Sequence, residues 1–195
     1  MLTLYHAPKS RSSSIVWLLE ELGVPYEKRI VDIRRADGSG TRDGANPHPH
    51  GKVPALDHDG RCIFETAAIA LYLTDLFADK GLGPKIGDPE RGEYLSWLAY
   101  RSGVVEPALM MRRLNGADVY GAMGWAPAEE VEEVLNRTLE QRDYLVGGRF
   151  SAADIVVGGA IYYMTMFKVM HETEVLKAYT ARLTARPAFK RAMEA

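Results

Sequence analysis

Ser10, Ser12, Ser13 and Ser14 crowd the stretch between a short apolar run, residues 2–5, and a periodic one that begins at Ile15. Hydroxyls placed where a helix starts either accept hydrogen bonds from its orphan backbone N–H groups or face a ligand. Further on, Gly51-Lys52-Val53-Pro54 leads into a β-type run. A cis bond before Pro54 would turn the backbone N–H and C=O of Val53 toward the loop after the first strand, whereas a trans bond leaves Pro54 as an ordinary strand-start proline. Glu65-Thr66 opens another helical run. There the free N–H groups, the positive dipole end and a hydroxyl suit a carboxylate, or serve simply as a cap. Taken singly, each of these three features keeps both readings.

Other reactive types point to less. The five histidines, His6, His48, His50, His58 and His171, are scattered through turns without His-x-x-x-His or His/Cys spacing, so no metal site is expected. Cys62 is the only cysteine, which excludes an intrachain disulfide, a Cys-x-x-Cys redox pair and a multi-cysteine zinc site. Met110, Met111, Met164, Met166 and Met170 fall in two helical runs, where methionine serves either as adaptable core or as the wall of a plastic pocket.

The elements that must position these groups follow from periodicity. Residues 2–5 form a strand ended by Pro8; Ile15, Leu18, Leu19 and Leu22 recur at helical spacing; Gly23 stops that helix and residues 26–33 read as a second strand. From Asp37 to Gly51 the chain has four glycines, two prolines and almost nothing apolar, so a long, exposed, mobile loop with one fragmentary helical turn is expected. Two short runs, 53–56 and 62–64, flank the turn sequence Asp57-His58-Asp59-Gly60 as a hairpin, and Ile69, Tyr72, Leu73 and Leu76 mark a further helix. Turn formers then concentrate at 78–89, and everything beyond reads as helix: 90 to about 114, 128–144, 152 to about 169 and two short terminal helices. This order predicts an α/β domain, β-α-β-α-β-β-α, over residues 1–79, a linker at 80–87 and an all-helical domain over 88–195.

Composition limits the function classes. The 195 residues are 47% hydrophobic and 26% charged, those of a soluble globular chain rather than a disordered or fibrous one. Twenty-four basic and 26 acidic side chains leave a net charge of −2, with no field favouring nucleic acid or an anionic membrane surface. The opening residues, Met-Leu-Thr-Leu-Tyr-His-Ala-Pro, fall short of a secretory h-region or an apolar membrane span and are expected to be a first strand, and with a single cysteine the expected setting is the reducing cytoplasm.

In combination and in this order, the motifs resemble a known family. Leu-Tyr-His-Ala-Pro-Lys-Ser-Arg-Ser, Trp-Leu-Leu-Glu-Glu-Leu-Gly-Val-Pro-Tyr-Glu, Gly-Lys-Val-Pro-Ala-Leu and Phe-Glu-Thr-Ala-Ala-Ile-Ala-Leu-Tyr-Leu are similar to the N-terminal domain of cytosolic glutathione transferases of a serine-dependent, bacterial- or plant-like class. Phe-Ser-Ala-Ala-Asp-Ile, residues 150–155, resembles the helix-starting motif of the family's C-terminal domain and is physically a Ser-x-x-Asp capping box.

The resemblance implies a thioredoxin-like N-terminal fold. It makes Pro54 a cis-proline and Val53 the residue whose backbone pairs with the cysteinyl part of glutathione. It further implies that Glu65 and Thr66 hold the γ-glutamyl carboxylate and that Lys52, with His50, meets the glycyl carboxylate. Ser10 is the expected hydroxyl that activates the thiol, with Ser12 second; Tyr5 lies within the strand, where its ring packs. His6, Met110 and Met111 are expected at the acceptor pocket. The implied activity is attack of a glutathione thiolate on a small hydrophobic electrophile, in a detoxification setting, by a cytoplasmic homodimer using glutathione as co-substrate and no metal. The alternatives are a non-catalytic binding module of the same fold, or a glutathione-dependent peroxidase or isomerase. The isomerase signature contains a cysteine that the run Lys9-Ser10-Arg11-Ser12-Ser13-Ser14 lacks.

Overall fold

The computed structural model describes residues 1–114, 116 and 121–194. The chain opens with β1 (Leu2–His6), α1 (Ser13–Leu22), β2 (Glu27–Ile30), β3 (Ala55–His58), β4 (Arg61–Phe64) and α2 (Thr66–Leu76). The strands form one sheet in the order β2-β1-β3-β4. β1 runs parallel to β2, with Leu4 opposite Lys28, and antiparallel to β3, with Leu4 opposite Leu56; β3 and β4 are antiparallel, with Leu56 opposite Ile63. All five residues of β1 are buried, as a central strand covered on both faces requires. Ile15, Leu18, Leu19 and Leu22 of α1 are buried, and Gly23 at φ 62° ends the helix by donating its N–H to the Leu19 carbonyl at 3.0 Å.

The element order differs from the expected one at one place, the helix between the second and third strands. Residues 31–54 instead run as turns and extended chain. With no apolar face to bury, this stretch is fastened by its own side chains. Asp32 accepts from Thr41 N–H at 2.7 Å, Asp43 from Ala45 N–H at 2.8 Å, and Asn46 accepts from His48 N–H at 3.0 Å while donating to the Lys52 carbonyl at 2.9 Å.

The helical part comprises α3 (Arg91–Tyr100), α4 (Glu106–Arg113), α5 (Ala128–Gln141), α6 (Gly159–Met166), α7 (Glu174–Thr184) and α8 (Pro187–Glu194). The expected single helix from 90 to about 114 is broken by a π-helical turn, Arg101–Val105, in which the Glu106 N–H reaches back to the Arg101 carbonyl. Pro107 has no N–H to offer the Gly103 carbonyl, which removes one rung of the α-ladder here. A second π-turn, Asp154–Gly158, leads into α6.

One continuous apolar core runs through both parts, from Leu4, Trp17 and Ile69 to Ile155, Tyr179 and Phe189. α8 returns to α1, where Trp17 meets Phe189 edge-on at 5.1 Å and Arg186 forks onto the Glu21 carboxylate at 2.6 and 2.9 Å. Among the described residues no helix is long and apolar enough to cross a membrane.

Candidate active site

The turn between β1 and α1 holds a directed chain of hydrogen bonds. His6 Nδ1 lies 2.7 Å from Ser12 Oγ, Ser12 Oγ 2.7 Å from Ser10 Oγ, and Ser10 Oγ 2.6 Å from the Ala7 carbonyl. A carbonyl only accepts, so the Ser10 hydroxyl donates to Ala7. Ser10 then has only lone pairs to offer Ser12, whose single proton must go to Ser10 Oγ. The remaining short contact needs a proton from the imidazole, so His6 donates from Nδ1 to Ser12. The Ala7 N–H adds a second donor to Ser12 Oγ at 3.3 Å; the Ser12–Ala7 carbonyl approach, at 3.4 Å, is too long to compete for the hydroxyl proton. Ser12 is fully buried and committed at every lone pair and proton, while Ser10, at the end of the chain, is half-buried.

His6 is buried, and its pKa is pushed down to about 4 by burial and, secondarily, by the charge of Lys28 on the adjacent strand. The ring is therefore neutral, as the donor count requires. An unfolded imidazole titrates near 6.5, so as pH falls the unfolded chain takes this proton first. The stability that His6 contributes is complete above about 6.5 and is lost at about 1.4 kcal/mol per pH unit down toward 4. Between pH 7 and pH 5, His6→Asn, which keeps a donor without the titration, is expected to lose roughly 2 kcal/mol less unfolding free energy than the wild type in urea titrations. Parallel losses in the two proteins would refute the assignment.

Across from this turn, the Val53–Pro54 peptide is cis and leads directly into β3. Gly51, at φ +60°, allows the approach: a Cβ there would stand 2.6 Å from Cγ of Arg42, whose guanidinium donates to the Pro49 carbonyl at 2.9 Å. His48 is buried against the ring of Phe64 at 5.5 Å, its Nδ1 accepts from the His50 N–H at 3.1 Å, and burial lowers its pKa. Glu65, the residue before α2, has φ 71° and ψ 126°, a left-handed backbone costing about 1–3 kcal/mol for a non-glycine residue. Thr66, buried at the first position of α2, lines the same space as Glu65 and Val53.

That space is a cavity of about 470 Å³. It is lined by His48, His50, Lys52, Val53 and Pro54 ahead of β3, by Glu65 and Thr66 at the start of α2, and by Arg11, Arg101, Ser102 and Glu106. The fold thus brings together six residues read from the sequence: Lys52, Val53, Pro54, Glu65, Thr66 and His50. Ser10 and Ser12 flank Arg11, which lies on the wall, but are not wall residues themselves. His6 sits behind the serines rather than at an acceptor pocket, Tyr5 is buried in a small cluster with Val31 and Val53, and Met110 and Met111 are half-buried on α4, off this cavity. Among the described residues no cluster of three or more His, Cys, Asp or Glu side chains is arranged to hold a metal ion.

Family models described as the N-terminal and C-terminal domains of glutathione S-transferase match residues 1–75 and 128–187. Glutathione S-transferase 3 of Schizosaccharomyces pombe is 34% identical over 172 residues, covering 79% of this chain and 70% of the relative. The chain belongs to the glutathione S-transferase family. A solved glutathione transferase from Methylococcus capsulatus superposes on this transferase with a TM-score of 0.81 at 27% identity, covering 100% of this chain and 98% of the other. A sphingomonad glutathione S-transferase complexed with glutathione does so at 0.75 and 27%, covering 98% and 97%.

The cavity wall of this transferase also contains residues that sequence reading missed. Arg101 and Ser102 lie in the π-turn, and Glu106, the next residue after it, pairs with Arg11 of the N-terminal part. Burial pushes the Arg101 guanidinium below the usual arginine range, partly offset by Glu106 and Glu65. The available signal was an Arg-Ser-Gly run that ends four residues before Pro107, inside a stretch read as one helix.

Proposed function

We propose that this transferase binds glutathione in the cavity and activates its thiol through the Ser10 hydroxyl for attack on a small hydrophobic electrophile. The observation that carries this reading is the direction of the hydrogen-bond chain. Ser12 has no proton left to give, whereas Ser10 donates to a carbonyl from a half-buried position and can turn that proton toward a sulfur.

A thiol of pKa near 8.5 is only about 3% thiolate at pH 7, and lowering the pKa by two units makes it roughly three-quarters thiolate. That shift needs about 2.7 kcal/mol of preference for the anion. One O–H···S⁻ bond contributes about 1.5–3 kcal/mol, and the N-terminal end of α1 about 0.3–1 more. Ser10 is thus a donor, and the displaced thiol proton passes to solvent. The donors behind it, Ser12 and His6, polarise the Ser10 hydroxyl in the same direction. In the displacement step the thiolate forms a C–S bond to the electrophilic carbon while the leaving group departs with its electron pair. Val53 offers its backbone to the cysteinyl unit, Lys52 with His50 faces the glycyl carboxylate, and Thr66 at the positive end of α2 suits the γ-glutamyl carboxylate. Glu65, being an anion, suits the neighbouring ammonium. On this reading the enzyme works as a cytoplasmic homodimer in detoxification.

The test is direct. The purified protein is expected to be retained on immobilised glutathione and to release halide from an aryl halide only when glutathione is present. Retention without turnover on a panel of electrophiles would favour the non-catalytic binding module instead.

A further inference from the structure

Among the described residues, Arg101 is a buried cation without a hydrogen-bond partner. Its side chain is 7% exposed, its one ionic contact is Nη1 to Glu106 Oε2 at 3.5 Å, and its Nε has no partner among the described residues. Glu106 is shared, because the same carboxylate pairs with Arg11. Guanidinium carries five donors in a planar fork, and a buried one left unpaired is a costly feature unless a ligand completes it. The residue lines the same cavity as Glu65 and Thr66, and the Glu65 charge acts on its guanidinium.

Arg11, Arg101 and Lys52 bring three positive charges to the lining, and Glu106 and Glu65 bring two negative ones. Glu106 pairs with Arg11 and only at 3.5 Å with Arg101, and Lys52 adds a separate ammonium, so Glu65 and the Arg101 guanidinium are an anion and a fork-shaped cation that line the same cavity without a close partner for either among the described residues. A neutral pair of opposite charges held apart in a cavity matches a zwitterionic α-amino acid head, the ammonium toward Glu65 and the carboxylate toward Arg101.

We infer that Arg101 is a carboxylate-binding residue of this cavity, and that its ligand is the α-carboxylate of the γ-glutamyl residue of glutathione, shared with Thr66 at the start of α2. The inference rests on the proposal that glutathione occupies the cavity. Its experimental signature does not depend on Ser10, because it concerns equilibrium binding and not turnover.

Binding is measured by calorimetry for wild type, Arg101→Met and Arg101→Lys with three ligands: glutathione, glutaryl-cysteinyl-glycine, which lacks the ammonium, and 4-aminobutyryl-cysteinyl-glycine, which lacks the α-carboxylate. Arg101→Met is expected to weaken glutathione and the glutaryl peptide by about tenfold to a hundredfold, the worth of a hydrogen bond to a charged group, while the aminobutyryl peptide binds wild type and variant alike. Arg101→Lys, which keeps the charge and loses the fork, is expected to fall between. Equal loss for all three peptides would make Arg101 a structural residue and overturn the inference, as would no loss for glutathione. A loss seen only as poorer discrimination between carboxylate-bearing and neutral electrophiles would assign the anion to the electrophile and overturn it as well. Wild type that binds none of the peptides would overturn this inference together with the site reading beneath it, whereas wild-type binding with an unaffected variant would overturn this one alone.

Discussion

Ser10→Ala is expected to raise the thiol pKa of enzyme-bound glutathione by about one to two units, because it removes an O–H···S⁻ bond worth about 1.5–3 kcal/mol. At pH 6.5, kcat/KM for an aryl halide is expected to fall by about fivefold to fiftyfold, while the affinity for glutathione, which the proposed reading assigns to other residues, among them Val53, Thr66 and Lys52, changes little. The pKa is read from the pH dependence of thiolate absorbance in the binary complex. Ser12→Ala provides the contrast. It removes the bridge between His6 and Ser10 and leaves the His6 Nδ1–H and Ala7 N–H without their acceptor, so its larger effect falls on stability and its smaller one on the thiol. A Ser10→Ala enzyme with unchanged thiol pKa, beside a Ser12→Ala enzyme that loses it, would transfer the catalytic role to Ser12.

The second large effect concerns Asp154 and leaves the cavity untouched. This carboxylate is completely buried and accepts four hydrogen bonds: Leu145 N–H and the Tyr179 hydroxyl, both at 2.9 Å, on one oxygen, and Ser151 N–H at 2.9 Å with the Ser151 hydroxyl at 3.1 Å on the other. It fastens the chain before the second π-turn to that turn and to α7. Burial raises its pKa despite these donors. Asp154→Ala strands two buried backbone N–H groups and a buried tyrosine hydroxyl, at about 1–3 kcal/mol for each unsatisfied group, and removes a cap worth about 1 kcal/mol. Partial relaxation leaves an expected loss of about 3–5 kcal/mol, a large share of the roughly 5–15 kcal/mol that holds a folded chain together. Urea denaturation measures it, and a midpoint within error of the wild type would show that the four bonds are energetically idle.

The same residue marks how far the amino-acid sequence alone is legible. Ser151 and Asp154 stand three apart before an apolar run, and that spacing alone announces a capping box. Nothing local announces Tyr179, which reaches Asp154 from 25 residues away. The helix α1 was legible in the same way, because one turn of spacing puts Ile15, Leu18, Leu19 and Leu22 on a single face and Gly23 at its end. The helix expected between β2 and β3 was not formed, since the polar side chains there bond to nearby backbone instead, and a composition reading cannot tell which partners they choose.

The amino-acid sequence by itself determined the strands, the helices α1 and α2 and the motif positions: a hydroxyl cluster after the first strand, Val53-Pro54 before the third and Glu65-Thr66 at the start of α2. These are local properties of spacing and residue type, carried by neighbours along the chain. Tertiary structure alone decided that Ser10 ends the hydrogen-bond chain and Ser12 is enclosed within it, that His6 is a buried donor rather than a pocket residue, and that Arg101 and Glu106 close the cavity from the helical part. Those outcomes depend on which lone pair meets which proton and on which charges are taken out of water together, and such choices are made only when segments distant in sequence are packed against one another.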